Sequence, residues 1–156
     1  MDPNTLQKTL NRMLLLEESQ VTLYSTLASK APGEELTYGL QRLAKIESDH
    51  VTAIRGKLTE LFPVEDNAIN NLKNSLTDAG LKLFSSTVSA AQDLTGLLPL
   101  MKAGAAAEEK AMADYRQTIA QIKDFELRDM FWEHLIDEEL HYLWLKKKIA
   151  LINSTL

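Results

Sequence analysis

A four-residue pattern that occurs twice constrains the fold of this chain more than any other feature of the sequence. Each copy consists of a Glu, a Tyr seven residues later, and a Glu-x-x-His segment that begins thirty residues after the first Glu. Each residue of the second copy lies 91 positions after its counterpart in the first (108 minus 17, for example). The two copies are Glu17, Tyr24, Glu47 and His50, and Glu108, Tyr115, Glu138 and His141. This repeat predicts two equivalent halves related by an approximate two-fold axis.

Turn and capping signals divide the chain into four long helical segments. Asp2 before Pro3 is typical of a helix start, because an Asp side chain caps free amides and Pro suits the first turn. Pro32 and Gly33 interrupt the helical pattern, and Asp124 is placed to cap a last helix. The first two predicted helices cover about residues 3–31 and 34–62. The third begins between residues 93 and 98 and ends near 123, and the fourth covers about residues 125–153.

The connections between these helices predict the topology. Short turns make residues 3–62 and 94–153 into two helical hairpins. A crossover at about 63–93, with a short helix predicted at about 78–86, joins the hairpins. A linker of that length can span a helix of roughly 42 Å. We therefore predict an all-α fold, a ferritin-like four-helix bundle, with one domain over residues 1–156 and an internal pseudo-two-fold repeat.

The repeated pattern also places ionisable residues in the middle of apolar helix faces. An isolated carboxylate in an apolar core costs on the order of several kcal/mol, and four carboxylates together would repel one another unless cations lay between them. Glu and His three residues apart are neighbours on a helix, so each Glu-x-x-His can chelate one ion. Mixed carboxylate and imidazole ligands suit iron or manganese. We predict two metal ions, iron before manganese or zinc, held by Glu17, Glu47, His50, Glu108, Glu138 and His141. The alternative is a buried hydrogen-bond network of the same residues.

Four further residues are predicted to lie beside this site. Tyr24 and Tyr115 are placed to hydrogen-bond to the carboxylates, although either alone would suit an ordinary core position. Asp137 is predicted to accept a hydrogen bond from the ring nitrogen of His50 that does not face the metal, which would fix the tautomer. His134, one turn earlier on the same helix, is predicted at the solvent edge, with a third imidazole ligand as the alternative.

Composition argues against several classes of function. The chain has no cysteine, which excludes disulfides, thiolate iron–sulfur clusters and Cys-ligated zinc within it. The formal net charge of −5 disfavours nucleic acid and anionic membranes as partners. No signal-peptide pattern is visible and no apolar run is long enough to span a bilayer, so we expect a cytoplasmic location.

Four stretches carry a resemblance to a known family, namely residues 17–31, 102–110, 123–128 and 137–141. They resemble the rubrerythrin-like group of the ferritin-like superfamily, in which a ligand Glu precedes a Tyr by seven residues. The resemblance covers nearly the whole chain and is weakest in the crossover. It implies the same six metal ligands.

The chain also departs from that family in places. Rubrerythrins usually carry a four-cysteine rubredoxin domain and a second Glu on the third helix. Here the positions three before and three after Glu108 are Ala105 and Ala111. The resemblance therefore implies a symmetric six-ligand site, as in bacterioferritins. It implies no haem, because Ser48 stands where bacterioferritins have the haem-binding Met.

The metal site and the resemblance together suggest three functions. We expect an oxidoreductase that reduces peroxide or dioxygen with electrons from a separate donor protein. The alternatives are a ferroxidase that oxidises iron for storage or delivery, and a non-enzymatic bundle that metal only stabilises. We also expect a homodimer or higher homo-oligomer, with Trp132 and Trp144 packing between helices or in a subunit interface.

Overall fold

Four long antiparallel helices make up the fold. The computed structural model describes residues 1–63 and 96–154. The helices are α1 (Pro3–Lys30), α2 (Glu34–Leu61), α3 (Leu97–Ile119) and α4 (Phe125–Ser154). Helices α1 and α2 form one hairpin and α3 and α4 the other, with α1 against α3 and α2 against α4. The predicted ferritin-like four-helix bundle is confirmed. No helix in the described residues is long and apolar enough to cross a membrane.

The helix ends follow the predicted capping signals with one exception. Asp2 accepts a hydrogen bond from the Thr5 amide at 3.0 Å, and Asp124 accepts one from the Leu127 amide at 2.8 Å. Helix α3 ends at Ile119 rather than near residue 123, because the Gln121 amide bonds the carbonyl three residues earlier and so tightens the last turn. Beyond Pro63 the predicted crossover and its short helix at about 78–86 lie outside the described residues. The single domain over 1–156 stays a prediction.

The core consists of two apolar clusters, one toward each end of the bundle. One contains Leu27, Leu40 and Leu145, and the other contains Leu10 and Phe131 among others. Buried polar side chains from all four helices lie in the middle of the bundle. The two clusters therefore enclose a polar centre on both sides.

The indole of Trp144 on α4 packs against the backbone of Gly39 on α2. A Cβ atom placed on Gly39 would overlap this ring, so the present position of the indole requires Gly. Trp144 thus packs between helices as predicted, whereas Trp132 is about half exposed on the outer side of α4.

Two glycine substitutions test this contact against each other. Gly39→Ala is expected to lower the melting temperature, because displacing a packed side chain costs about 1–3 kcal/mol. Gly56→Ala, on α2 with nothing within 4 Å of the new Cβ, is expected to raise it, because Ala gains roughly 1 kcal/mol in a helix. Thermal melts of the two variants should move in opposite directions. An equal rise in both would show that Trp144 does not restrict Gly39.

Candidate metal centre

Six nitrogen- and oxygen-bearing side chains from the four helices converge in the polar centre. All are buried, with exposed fractions between 0 % and 3 %. Their ligand atoms form two overlapping groups, within each of which the atoms lie within 4.8 Å of one another. The groups are Glu17, Glu47, His50 and Glu138, and Glu47, Glu108, Glu138 and His141. The structure thus brings all six predicted ligands together, and Glu47 and Glu138 belong to both groups.

Both histidines present Nδ1 to the carboxylates. His50 Nδ1 lies 3.3 Å from Glu17 Oε2 and 3.3 Å from Glu138 Oε1, and His141 Nδ1 lies 2.9 Å from Glu47 Oε1. On the other side of its ring, His50 Nε2 lies 3.2 Å from Asp137 Oδ2, the contact predicted from the sequence. A proton held on Nε2 by this carboxylate leaves the Nδ1 lone pair toward the centre, as a metal ligand requires.

Several of the converging atoms have no hydrogen-bond partner. They are both carboxylate oxygens of Glu47, Glu138 Oε1, and both ring nitrogens of His141, which meets Glu47 without hydrogen-bond geometry. Buried polar groups in native proteins nearly always have a partner. All of them except His141 Nε2, which lies on the opposite side of its ring from the carboxylates, are in the region where the two ligand groups meet. The donor set and its unsatisfied atoms therefore fit a pair of metal ions.

The charges in the centre perturb one another strongly. Burial raises the pKa of Glu17 and Glu108 well above the usual range, and the nearby Glu138 raises both further. Burial lowers the pKa of His141, but the nearby carboxylates of Glu138 and Glu47 outweigh it and raise the value to about 9. Burial likewise opposes the charge of His50, whose pKa is nevertheless raised by its carboxylate neighbours. Without metal the carboxylates therefore share protons and imidazolium partners, while two divalent cations would balance four carboxylates.

The two tyrosines connect the halves crosswise. The hydroxyl of Tyr24 donates to Glu108 Oε1, and that of Tyr115 donates to Glu17 Oε1 at 2.5 Å. Each tyrosine thus supports the glutamate of the other copy of the repeat. Burial raises the pKa of Tyr115, so this hydroxyl keeps its proton as a donor. The exchange agrees with the two-fold relation predicted from the repeat.

His134 is buried, and the prediction that it lies at the solvent edge is wrong. Its ring stacks on His50, with the centroids 3.9 Å apart, and its Nδ1 lies 3.0 Å from the Tyr115 hydroxyl. Because the single Tyr115 proton goes to Glu17, His134 must donate its Nδ1 proton to Tyr115. Burial and the neighbouring His50 lower the pKa of His134 to about 3, so the ring is neutral. It belongs to neither ligand group of the described residues.

Gln20 is the residue of the centre that sequence reasoning missed. It is fully buried, and its Nε2 lies 2.9 Å from Glu108 Oε2 and 3.3 Å from Glu138 Oε2. A signal was present, because Gln20 lies three residues after one inward-facing residue and four before another, Glu17 and Tyr24.

The supporting residues break the symmetry of the repeat. The residues 91 positions from Gln20, His134 and Asp137 are apolar, namely Ala111, Leu43 and Ile46. Gln20 supports the carboxylate of the group that contains His141, while Asp137 and His134 contact His50. The two halves of the centre are therefore chemically different.

This asymmetry predicts a reciprocal effect on metal affinity. Loss of a residue that orients a ligand typically weakens binding by about 10–100-fold. Gln20→Leu is expected to weaken the binding of the ion near His141 by that factor and to affect the ion near His50 less. Asp137→Ala is expected to weaken the binding of the ion near His50 more than that of the ion near His141. Titration with cobalt(II), followed by absorption and by paramagnetic shifts of the two histidine rings, separates the ions. Equal weakening of both ions in both variants would contradict the assignment.

Comparison with known families agrees with this geometry. The rubrerythrin family model matches residues 8–149. The chain belongs to the rubrerythrin family. No curated protein and no solved structure gives a significant match. At the level of the centre, helix α3 supplies one carboxylate, that of Glu108. The residues one turn to either side of it, where a second Glu is expected of a rubrerythrin, are buried Ala105 and Ala111.

Proposed function

We propose that this rubrerythrin-family chain is a di-iron oxidoreductase that reduces peroxide or dioxygen with electrons from an external donor protein. The observation that carries the proposal is the pair of overlapping ligand groups that share Glu47 and Glu138. Shared carboxylates hold two ions close together, at about 3.5–4 Å in two-metal sites. A pair of iron ions would supply Lewis acidity and two reducing equivalents, enough to convert one peroxide to water. Carboxylate and imidazole donors favour iron or manganese over softer metals.

The residues around the ligands suit this role. Apolar clusters at both ends of the centre exclude bulk water, which strengthens electrostatic interactions inside it. Tyr24 and Tyr115 hold Glu108 and Glu17 in place through donated hydrogen bonds. Asp137, with its side chain 39 % exposed and its carboxylate on His50, offers a polar contact between the centre and the surface.

The electron source is proposed to lie outside residues 1–156. No cysteine is present in them to hold a thiolate iron centre. A redox group outside these residues would therefore have to reduce the di-iron centre between turnovers. The need for an external electron source follows from the absence of cysteine and rests on the proposed function.

Anaerobic iron loading followed by oxidant titration tests the proposal. The protein should take up two iron(II) ions per chain, consume one peroxide per ion pair, and repeat the cycle when a chemical reductant is supplied. A ferroxidase would instead keep consuming added iron(II) and release ferric iron, without any reductant. A bundle that metal only stabilises would bind iron and do neither. Glu139→Ala is the matched control, because this residue adjoins a proposed ligand yet pairs with Arg116 at the surface.

A further inference from the structure

The outward face of α4 is apolar along most of its length. Six of the eight large hydrophobic residues that are exposed among the described residues lie on this one helix, each 48–69 % exposed. They are Phe125, Trp132, Ile136, Leu140, Leu143 and Leu151. At 100° per residue they lie opposite the face that carries Glu138 and His141 toward the centre. A helix that is apolar on both faces is normally covered on both.

The spacing of this face is that of a helix–helix seam. Together with two charged residues, the six apolar ones fall at positions 125, 129, 132, 136, 140, 143, 147 and 151, separated by steps of four or three. The steps run four, three and four, an eleven-residue repeat (125, 136 and 147, for example) of the kind found in coiled coils with a right-handed supercoil. The face therefore matches a helical partner rather than a small ligand.

The same spacing is nearly palindromic about position 138. Ile136 and Leu140 lie two residues to either side of it, and the charged pair Asp129 and Lys147 lies nine to either side. Across a two-fold axis, residue i of one chain meets residue j of the other, and j meets i. An antiparallel second copy centred on 138 would thus place each apolar residue of the seam beside an apolar residue. The seam is complementary to itself.

The two charges on the face select the antiparallel orientation. In that orientation Asp129 of each copy would face the partner's Lys147, twice over by symmetry. A parallel pair would bring like charges together. Neither side chain forms a salt bridge in the described part of the chain. The pKa of exposed Glu35 is lowered mainly by Lys148 and to a smaller extent by Lys147, so Lys147 lies near Glu35 without a direct contact.

We propose that two copies of this chain associate through the outward faces of α4, antiparallel about a two-fold axis near residue 138. This proposal stands on the exposed residues and their spacing and does not depend on the proposed function. It places the two metal centres directly behind the interface, one in each chain. It also gives exposed Trp132 a covered position, beside the partner's Leu143.

Sedimentation of the full chain over a range of concentrations tests the association. The parent protein is expected to be a dimer at micromolar concentration. Leu140→Lys is expected to be a monomer, because it would place a charge near the axis in both copies. Tyr38→Lys is the matched control, since Tyr38 is 69 % exposed on α2, and this variant should stay dimeric. A monomeric parent, or a Leu140→Lys variant that still dimerises, would overturn the proposal. Far-UV circular dichroism shows whether each variant is folded. If Leu140→Lys does not fold, Leu143→Lys is used in its place and is expected to be monomeric for the same reason.

A charge exchange tests the orientation. Asp129→Lys and Lys147→Asp should each weaken the dimer roughly tenfold, because each creates two like-charge contacts. The double variant restores opposite charges and should recover most of the affinity of the parent. A double variant no tighter than either single one would exclude the antiparallel seam. If the parent protein is a monomer and Leu140→Lys lowers its melting temperature, the face is instead covered by other residues of the same chain.

Discussion

Protein stripped with a chelator is expected to melt about 15 °C or more below protein loaded with two metal ions at pH 8. An ion that binds only the folded state at a free concentration 1,000 times its Kd adds about 4 kcal/mol, so two such ions add about 8 kcal/mol. Each kcal/mol corresponds to about 2–4 °C in a protein of this size. The buried glutamates and the orphaned atoms of His141 provide the site that only the folded chain offers.

The difference should widen as the pH rises from 6.5 to 9. In the metal-free chain the pKa of His141 is raised from 6.5 to about 9, so its stabilising contribution is present below 6.5 and lost as the pH rises toward 9. The raised pKa values of Glu17 and Glu108 act in the same direction, since the folded state keeps protons that the unfolded state releases. Metal binding strengthens over this range because the ligands must lose protons. His134, whose pKa is lowered to about 3, opposes the trend only below pH 6.5.

Thermal melts with and without chelator at pH 6.5, 8 and 9 measure both effects. Adding zinc(II) or iron(II) back should restore the higher melting temperature. A variant that lacks Glu47 should show little response to chelator, which controls for chelator effects elsewhere. Equal melting temperatures at pH 8 with and without metal would favour the alternative in which the six residues satisfy one another as a hydrogen-bond network.

Replacing a shared carboxylate should remove more metal than replacing an unshared histidine. Glu47→Ala takes a ligand from both groups, so the affinity for both ions is expected to fall at least about 100-fold. His50→Ala takes a ligand from one group and should leave one ion bound near His141. Glu109→Ala, which changes an exposed neighbour of Glu108, should keep both ions.

The number of metal ions that each variant retains after anaerobic loading and desalting measures this difference. The expected stoichiometries are near none for Glu47→Ala, one for His50→Ala and two for Glu109→Ala. Glu138→Ala should behave like Glu47→Ala, because Glu138 is the other shared residue. If His50→Ala bound two ions as tightly as the parent, the assignment of His50 as a ligand would be wrong.

Sequence spacing predicted the four helices and the residues that meet between them. Helix caps at Asp2 and Asp124 are local signals, and each was read correctly because a cap depends only on the next three residues. His134 was misplaced because its position relative to solvent depends on how α4 packs against α2 and α3, which spacing along one helix does not reveal. The same limit hid Gln20, whose partners Glu108 and Glu138 are on helices distant in sequence.

The sequence by itself determined that Glu17, Glu47, His50 and their counterparts would share one level of a bundle. Equal offsets along rigid helices of known rise leave little freedom in that level. Only the tertiary structure decided which atoms face one another. It assigned Tyr24 to Glu108 and Tyr115 to Glu17, and made Glu47 and Glu138 the shared carboxylates. Those choices depend on interhelical distances and side-chain rotamers, which are set when all four helices pack together and not by any one helix alone.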